Sequence, residues 1–177
     1  MTDLTDRMVR AAKLDVNLYE EVEADTEAMS QAVIVVVLSS LAAGIGSMTT
    51  SGLSGVIFGA IAALIGWYVW AYLTYYIGVT FLPEEETESN PGELLRTLGF
   101  ASAPGLIRVL GLIPGLTGIV FFIAAIWMLS AMVIAVRQAL DYQSTWRAVG
   151  VCVIGWIIQF LLLAVVFAIM GRPAIDG

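Results

Sequence analysis

Apolar and polar positions alternate in long blocks along this chain. Runs rich in Leu, Ile, Val, Ala, Gly and aromatic residues occupy 31–48, 55–82, 90–112, 116–136 and 148–170, and short polar or glycine-rich stretches separate them. An apolar helix of about 17–25 residues crosses a bilayer core, so each run is long enough to span. The pattern predicts an all-α, polytopic membrane bundle of five transmembrane helices over residues 31–170. A polar N-terminal segment, 1–30, precedes it and a short tail, 171–177, follows. The first run lies too far from Met1, and behind too acidic a prelude, for a cleaved signal peptide.

The third run differs from the others because it carries charge well inside it, Arg96 and Arg108, with Pro104-Gly105 between them. Asn90 suits a helix cap, Pro91 the first helical position, and Glu93 stands where it completes a capping box. Pro104 then removes a backbone donor and Gly105 restores no rigidity, so Gly99, Phe100, Pro104 and Gly105 are read as a structural break in the helix. Carbonyls freed in hydrocarbon need a partner, which predicts that this segment is enclosed by the others. As a continuous helix, residues 90–112 would extend about 33 Å and cross the membrane; a turn at Pro104-Gly105 would instead return both arginines to one side. Arg108, with Arg96, is the candidate anion or lipid-headgroup site, since intramembrane charge is costly and tends to have a function. A side chain snorkelling to the interface is the other role open to Arg108.

In the second run Gly52, Gly59 and Gly66 recur every seven residues, with Gly55 alongside, and predict a smooth helix-packing face. The expected neighbour is another helix of the same bundle, the alternative a second copy of the chain through Gly55 and Gly59. Near the N-terminus, Leu4, Met8, Ala11 and Ala12 share one helical face while Arg7, Arg10 and Lys13 share another, as in a helix lying on anionic headgroups. Six carboxylates between Asp15 and Glu27 follow. The loop 83–91 holds four glutamates and no basic residue, and it lacks the ligand spacing and turn glycine of a calcium loop. It is read as solvated, with no metal.

Composition narrows the function. Hydrophobic residues make up 59% of the 177 and mean hydropathy is +0.90, so lipid is the solvent of the fold. A net charge of −7 leaves no basic patch for nucleic acid. The chain has no histidine, which removes Ser-His-Asp and Cys-His nucleophiles and the commonest zinc ligand. No phosphate-loop or dinucleotide motif is present, and the single cysteine, Cys152, lies in an apolar run. No enzyme activity and no cofactor are expected. With five spans and the N-terminus inside, Arg7, Arg10, Lys13, Arg96, Arg137 and Arg147 fall on the inner side and Arg108 and Arg172 on the outer. The positive-inside bias predicts a multi-pass protein of the cell membrane with a cytosolic N-terminus and an external C-terminus.

Five hydrophobic segments after a polar region, with Thr97-Leu98-Gly99-Phe100-Ala101-Ser102-Ala103-Pro104 in the third, resemble the Yip1 family. Eukaryotic members carry Gly-Tyr with Pro four positions after the Tyr; here Gly99, Phe100 and Pro104 keep that spacing, with Phe for Tyr. Pro-Gly-Glu-Leu-Leu-Arg-Thr-Leu-Gly-Phe, Gly-Leu-Ile-Pro-Gly and Val-Arg-Gln-Ala-Leu-Asp-Tyr are similar to phrases of its prokaryotic branch. The resemblance implies a five-helix fold with a cytosolic N-terminus, and in eukaryotes a role in membrane traffic through Rab GTPases. The Asp-Leu-Tyr-Gly-Pro phrase of those members is absent here. The resulting expectation is a non-enzymatic adaptor or scaffold whose partners are the bilayer and other membrane proteins or further copies of itself. A channel or transporter-like component built on the interrupted third segment, or an accessory subunit of a larger complex, is the alternative.

Overall fold

A computed structural model describes residues 3–170; the tail expected at 171–177 lies outside them. The described residues form seven α-helices and one 3-10 helix, with no strand. Two short helices, α1 (Leu4–Ala12) and α2 (Val16–Ala24), precede α3 (Ala28–Gly46) and the long α4 (Met48–Thr80). Next come α5 (Pro91–Phe100), the 3-10 helix (Ala103–Leu112), α6 (Thr117–Ala139) and α7 (Thr145–Met170).

Four helices are long and apolar enough to cross a membrane: Ala28–Gly46, Gly55–Thr80, Thr117–Ala139 and Thr145–Leu162. The third apolar run is not a single long helix. It is divided into α5 and the 3-10 helix, about 15 Å and about 20 Å long at their respective rises, and neither alone covers a bilayer core. The capping box forms at its start: Asn90 Oδ1 accepts from the N–H groups of Gly92 (2.9 Å) and Glu93 (3.2 Å), and Glu93 accepts from Asn90 N–H (2.9 Å). After Phe100 the α ladder closes with Ala101 N–H donating to Thr97 O, and the next bonds, Ser102 to Gly99 and Gly105 to Ser102, span three residues.

Three close approaches fix how this segment lies. Gly99 sits against Ala32, Gly105 against Ser39 and Gly111 against the carbonyl of Gly46, so α5 and the 3-10 helix together run parallel to α3 along its length. A side chain at Gly46 would collide with the Arg108 carbonyl, and one at Gly105 with Ser39 Oγ, Arg108 Nη2 and Met128 Sδ. These glycines let the backbones touch.

The packing face expected on α4 is placed differently. Gly59 and Gly66 face open space, Gly55 and Gly59 border a cavity, and Gly52 breaks the helix, with φ +66° and ψ −178° that only glycine adopts readily. A seven-residue recurrence reports a smooth face and not what stands opposite it. Only 11% of the α4 span is buried, and Phe58, Ile65, Val69 and Tyr76 point outward.

The N-terminal helices are built into the bundle. Leu14, at φ 62°, turns the chain between them, and Asp15 caps α2 through Asn17 N–H. One buried cluster joins Ala11, Leu18 and Val22 to Ala32, Val35, Phe100 and Ala103; another sets Tyr19 among residues of α5, α6 and α7.

Candidate functional site

Of the basic residues expected on the membrane surface, Lys13 is exposed, whereas Arg7 is only 4% exposed and Arg10 is partly buried. Both arginines are taken up by α2. Arg7 donates to Glu21 (2.9 Å), Asp25 (2.7 Å) and Gln31 (2.9 Å), and Arg10 to Asp15 (2.8 Å) and Glu21 (2.6 Å). Glu21 thus bridges the two arginines through its two oxygens. The hydrogen bonds from Arg7 and Arg10 hold Asp25 and Asp15 below the ordinary carboxylate range. Hydrophobic periodicity places these arginines on a common face but does not say that Asp15, Glu21 and Asp25 will fold back over it.

Arg96 is likewise committed. It is 6% exposed and donates to the carbonyls of Val22 (2.8 Å) and Glu23 at the last turn of α2, where a cation meets the negative end of the helix. With Trp127 Nε1, which donates to Ala12 O at 2.7 Å, it clamps α1 and α2 to α5 and α6. Arg96 is an anchor for α2.

Arg108 is held differently. Its Nε donates to Gly105 O (3.0 Å) and its Nη2 to Ser39 O (3.2 Å) and Ser39 Oγ (2.9 Å). Ser39 lies seven residues before the end of α3, about 10 Å of helix inward from it, whereas the Arg108 carbonyl is level with Gly46. The side chain therefore points back into the bundle, opposite to the snorkelling direction. Among the described residues no carboxylate pairs with it, and no hydrogen bond involves Nη1. Two cavities meet at Arg108. One, about 420 Å³, lies between α3 and α4 and is lined by Ser39, Ser40, Ser47 and Ser102; the other, about 600 Å³, lies among α4, α6 and α7 and is lined by Trp70, Leu98, Ile126, Trp156 and Gln159. Trp67, Ser102, Arg108 and Met128 belong to both walls. Gln159, far from Arg108 in sequence, thus shares a cavity with it.

Gly99, Phe100, Pro104 and Gly105 prepare this site. Gly99 admits Ala32, Phe100 fills the space among α1, α3 and α5, and the 3-10 helix beginning beside Pro104 turns Gly105 and Arg108 toward Ser39.

At the end of the bundle that carries α2, the loop 83–90 is tied down and not simply solvated. Glu84 pairs with Arg147 (3.0 Å) and accepts from Gln143 N–H (2.8 Å), and Glu86 accepts from the Gln143 amide (3.0 Å). A cavity of about 530 Å³ beside it is lined by Glu23, Glu88, Ser89, Glu93 and Asp141. Burial, reinforced by the negative charges of Asp141, Glu20 and Glu93 against the pull of Arg96, pushes the Glu23 carboxyl up to about 8. Burial and the neighbouring glutamates also raise Asp141. No group of three or more His, Cys, Asp or Glu residues placed to hold a metal ion occurs among the described residues.

Fold and site together define a multi-helix integral membrane protein whose interrupted apolar segment carries an inward-facing arginine. The chain belongs to the Yip1 family: the Yip1 domain matches residues 19–167, a span that begins within α2 and includes the Gly99-Phe100 and Pro104 positions and Arg108. Comparison with curated proteins and with solved structures gives no match.

Proposed function

We propose that this Yip1-family protein is a non-enzymatic scaffold of the cell membrane that crosses it five times, with α5 and the 3-10 helix forming the third crossing. The matched register of Gly99, Gly105 and Gly111 along α3 supports that crossing, because a segment lying beside a span from end to end leaves by the opposite face. The lysine and arginine bias supports a cytosolic N-terminus and an external C-terminus.

The observation that carries the scaffold reading is the seating of α1 and α2. Arg7, Arg96 and Trp127 fix these helices, so the cytosolic end presents a set surface of carboxylates, Glu20, Glu86, Glu88, Glu93 and Asp141, in place of a loose tail. Such a surface suits a basic segment of a membrane-protein partner or of a second copy. The test is reconstitution of the purified chain into liposomes beside native purification in mild detergent. A stoichiometric partner lost from the Glu86→Lys, Glu88→Lys variant, without solute flux, is the expected result. Specific flux of an ion or solute through the protein alone would replace the scaffold reading with a channel or transporter built on the interrupted segment.

A further inference from the structure

We propose that the two cavities meeting at Arg108 hold one anionic phospholipid, with its phosphate on the guanidinium in the serine-lined chamber and an acyl chain in the apolar chamber among α4, α6 and α7. This site is separate from the scaffold surface and does not depend on it.

The donor inventory supports the assignment. A guanidinium carries five N–H groups, and Gly105 O, Ser39 O and Ser39 Oγ engage only Nε and Nη2. Nη1 is left with two donors, and among the described residues the charge has no carboxylate within salt-bridge distance. A charge in a low-dielectric setting is costly without a counter-charge, and a phosphate supplies both the charge and the acceptors. Trp70, in the wall of the apolar chamber, also has a buried indole N–H with no acceptor.

The shape indicates a lipid in preference to a free ion. The serine chamber extends from Arg108 and Ser39 to Ser47 and Gly55 at the turn between α3 and α4, and so opens toward the headgroup layer on that side. From Arg108 the second chamber continues between helices whose outer faces are bare apolar side chains. Each chamber falls within the range of about 300–1,000 Å³ typical of small-molecule sites. A polar recess joined to an apolar one by a single cation fits an anionic head and a hydrocarbon tail. Inorganic phosphate would leave the larger chamber unfilled.

Native mass spectrometry of the full chain in mild detergent, titrated with phosphatidylglycerol, phosphatidylcholine or inorganic phosphate, tests this. One phosphatidylglycerol retained per chain, in preference to phosphatidylcholine and undisturbed by inorganic phosphate, is expected. Arg108→Gln should weaken retention by about tenfold or more, as loss of a charge-assisted hydrogen bond implies. Arg108 also ties the 3-10 helix to α3, so Ala125→Trp provides an independent arm: Ala125 lies on the exposed wall of the apolar chamber, where the added ring blocks the chain, and it is not one of the residues hydrogen-bonded to Arg108. This variant should fold and lose lipid. Equal retention of both lipids by the unaltered protein, displacement by inorganic phosphate, or unchanged retention in a folded Ala125→Trp variant would each overturn the proposal.

Discussion

Trp127, midway along α6, donates its indole N–H to the carbonyl of Ala12 at 2.7 Å, joining positions 115 residues apart. That carbonyl ends α1, so the bond satisfies a group the helix itself leaves open. Trp127→Phe keeps most of the ring and removes the donor. It should cost about 1 kcal/mol of α1 docking, read as roughly fivefold faster hydrogen exchange over residues 4–12 with α6 unchanged. Equal loss of protection throughout the bundle would show that Trp127 supports the whole fold and not this junction.

The glycines give a paired prediction. A methyl at Gly105 meets Ser39, Arg108 and Met128, so Gly105→Ala should destabilise the protein by about 1–3 kcal/mol, the usual cost of overpacking. Gly66→Ala adds a methyl in open space on a helix and should be neutral or gain up to about 1 kcal/mol. Thermal melts in one detergent compare them. A destabilised Gly66→Ala protein would mean that another chain, or a lipid in the adjoining chamber, covers that face.

Much of α5 was legible beforehand. Asn90, Pro91 and Glu93 announce its start because capping is local chemistry between residues three apart, and the apolar runs announce the long helices because lipid demands length and composition. Gly99, Phe100 and Pro104 carried the family. The partners of the arginines were not legible. Arg96 meets α2 across 74 positions, and no periodicity within its own segment points there. Arg108 reads from sequence as an interfacial anchor as well as a binding residue, because sequence gives a residue's depth along a helix but not the direction of its side chain.

Stability should depend on pH through Glu23. Its folded carboxyl titrates at about 8, above an ordinary glutamate, so between the two values the folded state binds the extra proton and stability falls as pH rises. The penalty is absent below about pH 4 and complete above about pH 8. Glu23→Gln should flatten the dependence and stabilise the protein at pH 8 by on the order of 1 kcal/mol, once solvent screening of this partly exposed group is allowed for. Denaturation midpoints measured from pH 5 to 9 check it; the same slope in the variant would assign the dependence to other groups.

Topology is tested by cysteine labelling. In a Cys152→Ser background, Glu86→Cys and Pro114→Cys lie before and after the proposed third crossing, both on exposed positions. A membrane-impermeant thiol reagent applied from outside should label position 114 and spare 86. Labelling of both from one side would mean that the segment re-enters, leaving four crossings.

The clamp on α1 and α2 has a consequence for how the protein is made. These helices precede their seats in the chain, since Arg96 in α5 and Trp127 in α6 are synthesised much later. Contacts so distant in sequence form slowly, because the intervening chain must be ordered before they return anything. α1 and α2 should therefore wait at the membrane surface, their arginines paired with Asp15, Glu21 and Asp25, while the following spans are inserted. A part translated early is then late to reach its place.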